Sequence, residues 1–302
     1  MSALPFLIML FVCIVMPLGF AWRIWRLDEP TLAGWVAVVA DSAVFVALIM
    51  LVGRWDMAGM HTRWLLLLLL AAASLFSWLH HRRRPWRLPA APSFWRSHGS
   101  TLFSLILFGA ALAYVLVGLL PQNGSRQLRF PLQDGHFVVG QRGANMLLNH
   151  HAGHRAQDHA VDITVVGRLG FRAAGLVPRD PAAYAIFGAR VVSPCSGEVT
   201  GAVDGLPDLE PPQMDPENPA GNNVVIACDG MLVDLSHLRR GSVAVSQGQA
   251  VEAGQLLGEV GNSGNTTEPH LHIHAVDEET GAAVPLTFDG ATPVRNRSFV
   301  RP

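Results

Sequence analysis

The sequence predicts an α-helical transmembrane region of four helices followed by an all-β domain, an antiparallel sheet sandwich or open barrel. Three observations carry that reading. Half of the 302 residues are hydrophobic and only 15% are charged, against roughly 25% charged in an average soluble domain. All eight Trp lie at or before Trp95, whereas 22 of the 29 Gly lie after Leu120. The apolar residues form long runs before Pro121 and short ones after it. The charge deficit excludes a disordered chain or one that coats nucleic acid. Two physically different halves, 1–120 and 121–302, therefore meet near Pro121, and the chain contains no Lys at all.

Four apolar runs, 4–22, 32–53, 64–80 and 101–120, approach the ~20 residues that a bilayer core requires. The third is short, and basic neighbours can snorkel from it to the interface. Trp22, Trp35, Trp55, Trp64 and Trp78 stand near the run ends, as an aromatic belt places them. A cleaved signal peptide is the rival reading of the first run, but no basic segment precedes it and three more runs follow. The first connection carries Arg23 and Arg26, and the third carries Arg82, Arg83, Arg84, Arg87 and Arg96. The second has only Arg54 and Arg63. That bias puts the first and third connections in the cytoplasm and exports everything after Leu120. Asp41 falls in the middle of the second run. An intramembrane carboxylate is a functional candidate by default, but no cation is evident at its depth, and a protonated or Ser42-paired group is the expectation.

Beyond Pro121, short apolar stretches at 136–140, 161–166, 189–192, 223–227, 231–235, 243–245, 255–260 and 271–276 read as strands between Gly, Asn, Asp and Pro turns. A helical turn is expected within 179–185. Residues 204–221 interrupt the strands with five Pro, five acids and no Arg, a composition that suits either one wall of a groove or a disordered loop. Cys195 and Cys228 fall in the exported half, where a disulfide can persist; a bridge and two buried thiols are both open.

Nine of the thirteen His lie in this half. His150, His151, His154 and His159 precede Asp162; His237 stands alone; His270, His272 and His274 alternate. On a strand, residues i and i+2 share a face, so the last three project together. One such pair would read as solvated surface. Three, with a second His/Asp cluster far upstream, read as a metal site. Imidazole and carboxylate donors suit zinc, and a catalytic zinc keeps three protein ligands and one open position.

The segment Gly261-Asn-Ser-Gly-Asn-Thr-Thr-Glu-Pro-His-Leu-His272 resembles the signature of LytM/lysostaphin-type zinc metallopeptidases, roughly G-x-S-G-x-(S/T)-x-G-P-H-L-H. Companion elements stand in the family's order: Asn149–Asp162, with Asn-His-His and Gln157-Asp-His-Ala-Val-Asp162; Phe187–Val199; Gly221–Ile226; Ser236-His-Leu238; and Val245–Gly258. The resemblance covers roughly 135–290 and implies the lysostaphin-like β fold. It also implies that His272, Asp162 and an upstream His hold Zn2+ while His237 and His270 act on the reacting peptide. His274 stands where the family often has Glu or His. The upstream ligand is open, because Asp158 occupies the position of the usual H-x-x-x-D histidine. A subgroup pattern, N-x-H followed by Q-x-Y-A-x-D, favours His151, then His154, then His150; His159 replaces its aromatic residue.

The function implied is a membrane-anchored zinc endopeptidase that cuts peptidoglycan stem peptides or cross-links outside the inner membrane. Zinc would polarise the scissile carbonyl and lower the pKa of a bound water to about 7. No H-E-x-x-H helix supplies a Glu base, so the histidines must move the protons. Two alternatives keep the fold: a non-catalytic LytM-like module that activates a partner hydrolase, and a metallopeptidase acting on an exported protein. A biotinyl or lipoyl carrier, suggested by the hairpin at 245–258, requires an acceptor Lys that the chain lacks. Four spans where one would anchor suggest a membrane-protein partner beside the bilayer itself.

Overall fold

The computed structural model describes residues 4–83, 86–87 and 91–301, the side chains of 91–93 excepted. Arg84, counted in the charge argument above, lies outside the described residues. The chain divides into two compact units, a helical one to Val117 and a β unit from Gly118.

Four helices of the first unit, Leu4–Trp25, Leu32–Val52, Thr62–His81 and Phe94–Gly118, are long and apolar enough to cross a membrane. The third has 20 residues, longer than its apolar run, because Thr62, Arg63 and His81 extend the helix at its ends. Large side chains such as Leu68, Phe103 and Ile106 face outwards while Ile24, Val46 and Trp55 are fully buried. Hydrophobic on both faces, the helices need an apolar surrounding.

The expectation for Asp41 is corrected. The first helix runs on to Trp25, so Arg23 is a helical residue whose long side chain reaches inwards. Its Nη1 donates to Asp41 Oδ2 at 2.6 Å and its Nη2 to Thr101 Oγ1 at 2.9 Å. Ser42 instead donates to Val38 O. The pairing links segments 18 and 78 residues apart, which hydropathy alone does not register.

The β unit is built on one antiparallel sheet ordered β12-β2-β3-β10-β7-β6-β5-β8. In chain order these are β2 (Gly135–Gln141), β3 (Val161–Val165), β5 (Gly197–Val203), β6 (Asn222–Cys228), β7 (Met231–Leu238), β8 (Ala250–Val251), β10 (Leu271–Asp277) and β12 (Ser298–Arg301). Two smaller pairs complete it: antiparallel β4 (Arg190–Val192) with β9 (Leu256–Glu259), and parallel β1 (Arg126–Leu128) with β11 (Leu286–Phe288). Alternation decides which face is dry. Val224 and Ile226 on β6, Val233 and Leu235 on β7, and Leu271 and Ile273 on β10 point into one core with Phe130, Phe137, Leu257 and Phe288. Burying each such side chain contributes about 1.5–3 kcal/mol. The opposite face of β10 is left for the histidines.

Segment 243–245 is not a strand. Val243 and Val245 reach the core from a connecting loop, so their alternation marks anchoring rather than pairing. Conversely β5 escapes notice because two Gly interrupt it and only Val199 is buried. The expected turn is a 3-10 helix, Pro181–Ala183, capped by the Asp180 carboxylate. Cys195 and Cys228 are joined in a disulfide with Cα atoms 6.4 Å apart, tying the segment after β4 to the end of β6. Residues 204–221 are ordered. Asp208 accepts from the amides of Asn262 and Arg240, and Asp204 from Gly241. That loop therefore runs along the turn at 261–265 and flanks the histidine face.

Candidate metal centre

The site grows from the register of two central strands. β3 and β10 are antiparallel with Asp162 directly opposite His272, and both side chains are buried. His272 Nδ1 lies 2.9 Å from Asp162 Oδ1, while its Nε2 lies 3.1 Å from Nδ1 of His274, two residues along the same face. His270 enters from just before β10, with Nε2 3.6 Å from Asp162 Oδ1.

His237 reaches this face by a local irregularity. In a regular β7 it would share the core side of Leu235. Asn222 pairs with Leu238 and Val224 with Leu235, so Ser236 and His237 together oppose Asn223. That is a bulge, a device that re-aims a side chain. The backbone of His237 takes φ 65°, a left-handed conformation costing about 1–2 kcal/mol for an L residue. Its ring consequently stands 4.9 Å from that of His270. Gly221 and Gly264 make the neighbouring turns possible. Both have positive φ, and a Cβ on Gly264 would come within 2.5 Å of the Gly221 amide.

The upstream histidines sit on the loop between β2 and β3. Asn149, fully buried, donates through Nδ2 to Asp158 O and Ala160 O and accepts the His151 amide. This fold-back brings His151 Nε2 within 3.3 Å of both Asp162 oxygens. His150 stacks beside His151 with ring centres 3.8 Å apart. His154 is exposed, and the charges acting on His159 are those of Arg142 and Asp158. Among the described residues, two triads bring ligand atoms within 4.8 Å of one another: His237, His270 and His272, and His150, His151 and Asp162. The structure thus gathers His151, Asp162, His237, His270 and His272 in one place. It also brings in His150, ranked last by sequence, rather than His154.

The fields are strong. Burial alone would raise the Asp162 pKa, but the His270 charge and the hydrogen bonds from His151 and His272 hold it well below the usual carboxylate range. Burial, reinforced by His270 and His272, pushes His237 well below the ordinary imidazole value. Burial and then His272 bring His274 down to about 4. His237 Nδ1–H donates to Ser263 O and His270 Nδ1–H to Glu268 O, both at 2.9 Å. Each therefore turns its Nε2 to the cleft, and burial keeps that of His237 unprotonated.

These shifts carry a stability prediction for the metal-free chain. An imidazole kept neutral by folding is protonated first in the unfolded state, so stability is lost as pH falls below about 6.5. Asp162 adds to the loss only below its unfolded pKa of about 3.9. Moving from pH 7 to pH 5 should cost about 2 kcal/mol for His274, held at about 4 in the fold, and His237 should add to the loss in the same direction. Denaturant titrations of the chelator-treated chain at the two pH values measure it, and equal midpoints would contradict it.

Sequence reasoning missed Thr266 and Glu268, which contact His270 Nδ1, and Arg172, which pairs with Glu268. Only the unusual Glu before Pro269 could have drawn attention to them.

Solved structures similar to the chain include a Pseudomonas aeruginosa structure described as an M23 peptidase, 21% identical, covering 55% of this chain and 50% of that one with a TM-score of 0.31. The catalytic domain of the antimicrobial peptidase lysostaphin from Staphylococcus simulans is 18% identical over 49% of this chain and 84% of its own, TM-score 0.29. A zinc-containing peptidase from Vibrio cholerae is 22% identical over 41% and 48%, TM-score 0.26. The chain spans about half the length of the first of these. Residues 182–284 match the model of peptidase family M23, a stretch that includes His237, His270, His272 and His274 and begins after His151 and Asp162. The chain carries a peptidase family M23 domain.

Proposed function

We propose that the protein is a membrane-anchored zinc endopeptidase acting on the peptides of peptidoglycan. One observation supports it most: His151, Asp162 and His272 converge while the Nε2 atoms of His237 and His270 stand beside them. Two imidazoles and one carboxylate are the donor chemistry of a catalytic zinc site, and the depressed Asp162 pKa keeps that carboxylate ionised. Zinc bound there supplies Lewis-acid polarisation of the scissile carbonyl and acidifies water.

The chain's own groups do the rest. With the metal bound, Nδ1 of His272 would be its donor atom and Nε2–H would donate to His274 Nδ1, 3.1 Å away, the outer-sphere arrangement that orients metal-binding imidazoles. His237 is neutral at pH 7, and its Nε2 can take the proton lost by attacking water. His270, only partly buried, faces incoming peptide. Once protonated, either imidazole can stabilise the oxyanion and deliver a proton to the leaving amine.

Placement outside the membrane rests on the Arg bias of the helix connections and on the Cys195–Cys228 disulfide, which persists in oxidising compartments. An alkaline-phosphatase fusion after residue 125 is expected to be active, and an inactive one would reverse the topology. The full chain in detergent, loaded with zinc, should release peptide-cleaved fragments from purified sacculi. A zinc-loaded chain that leaves sacculi intact while cleaving an exported protein would redirect the substrate. A zinc-loaded chain that cleaves neither would favour an activating role.

A further inference from the structure

Arg172 and Glu268 form a buried ion pair that the proposed chemistry does not use. Arg172 is 2% exposed and Glu268 9%. Arg172 Nε and Nη2 both donate to Glu268 Oε2, at 2.9 and 2.5 Å, and Nη2 also donates to Leu176 O. The guanidinium lies 5.5 Å from the centre of the Tyr184 ring. Arg172 belongs to a hairpin closed by Ala174 N to Ala183 O and Ala185 N to Arg172 O, 96 residues from Glu268. In the family pattern the position of Glu268 is a Gly, so this clamp is a feature of the present chain.

The clamp ends on His270. The Glu268 carbonyl accepts His270 Nδ1–H at 2.9 Å and the Thr266 hydroxyl at 2.8 Å, and Thr266 Oγ1 is itself 3.1 Å from His270 Nδ1. Holding Glu268 by its side chain holds that carbonyl, and the carbonyl, as acceptor of Nδ1–H, keeps the proton of a neutral His270 on Nδ1 and turns Nε2 towards Asp162. We propose that Arg172 and Glu268 are positioning residues for His270, transmitting the rigidity of the 172–185 hairpin to the imidazole that moves protons. The proposal rests on the catalytic reading above, but its first readout does not.

The full chain in detergent micelles, labelled with 15N-histidine, reports the His270 tautomer by long-range proton–nitrogen spectra, with His270→Asn assigning the signal. Wild type should show Nδ1–H. Arg172→Met should give a mixture with Nε2–H and lower kcat about 10–100-fold, with KM within about twofold and zinc content unchanged. Arg172→Lys, which keeps the charge, should recover most of the rate. If Arg172→Met does not fold, Glu268→Gln, of the same size, takes its place with the same expected direction. A folded variant with an unaltered His270 tautomer overturns the proposal, as does a kcat within twofold of wild type. If wild type cleaves no peptide at all, the catalytic reading fails while the tautomer measurement still decides the positioning role.

Discussion

His272→Ala is expected to abolish both stoichiometric zinc and peptide hydrolysis. His272 lies opposite Asp162 in the β3–β10 register, is almost fully buried, and directs Nδ1 to within 2.9 Å of Oδ1. Removing it leaves His151 and Asp162 as a two-point site, short of the three ligands a catalytic zinc needs. Lewis-acid stabilisation is worth several kcal/mol, and each 1.36 kcal/mol is tenfold in rate, so the loss should be at least about 10³-fold. Two comparisons make the result specific. His237→Ala should keep the zinc and lose about 10²–10⁴-fold in rate, the range for a positioned acid–base group. His274→Ala should weaken zinc about 10–100-fold yet cleave at saturating metal. Metal analysis and muropeptide release measure all three. Undiminished zinc in His272→Ala would move the centre elsewhere.

Replacing Cys195 and Cys228 by Ser is expected to destabilise the β unit by about 3–4 kcal/mol, the loop-closure value for a bridge of this span, because the disulfide closes 33 residues. The loop so closed holds all of β5, the acidic 204–221 segment and β6. That segment lies against the turn at 261–265, and its Ala220 carbonyl accepts the His237 amide. Loosening it should therefore reach the site as well as the melt. Denaturant unfolding with and without reductant reads the stability, and the same midpoint in both would show that the bridge contributes nothing. A free-thiol assay on the unreduced chain checks the bond itself.

The four long apolar helices were legible because the requirement for crossing a bilayer is local: about twenty consecutive apolar residues suffice, whatever they pack against. Strands with clean alternation, such as β6 and β10, were legible for the same reason. β5 was not, since its glycines carry no side chain to alternate, and 243–245 misled because loops also anchor apolar residues. In the site, the face shared by His270, His272 and His274 followed from strand period alone. His151 rested on a family pattern until Asn149 was seen folding the loop back to Asp162.

The amino-acid sequence by itself determined the division into an apolar helical half and a Gly-rich β half, the absence of an acceptor Lys, and the common face of three histidines. Each follows from composition or from neighbours two residues apart. Only the tertiary structure decided that Arg23 neutralises Asp41, that Cys195 meets Cys228, that a bulge turns His237 into the cleft, and that Arg172 holds the turn of His270. Each of these depends on register or on segments far apart in the chain, and local periodicity contains no information about which distant partner arrives.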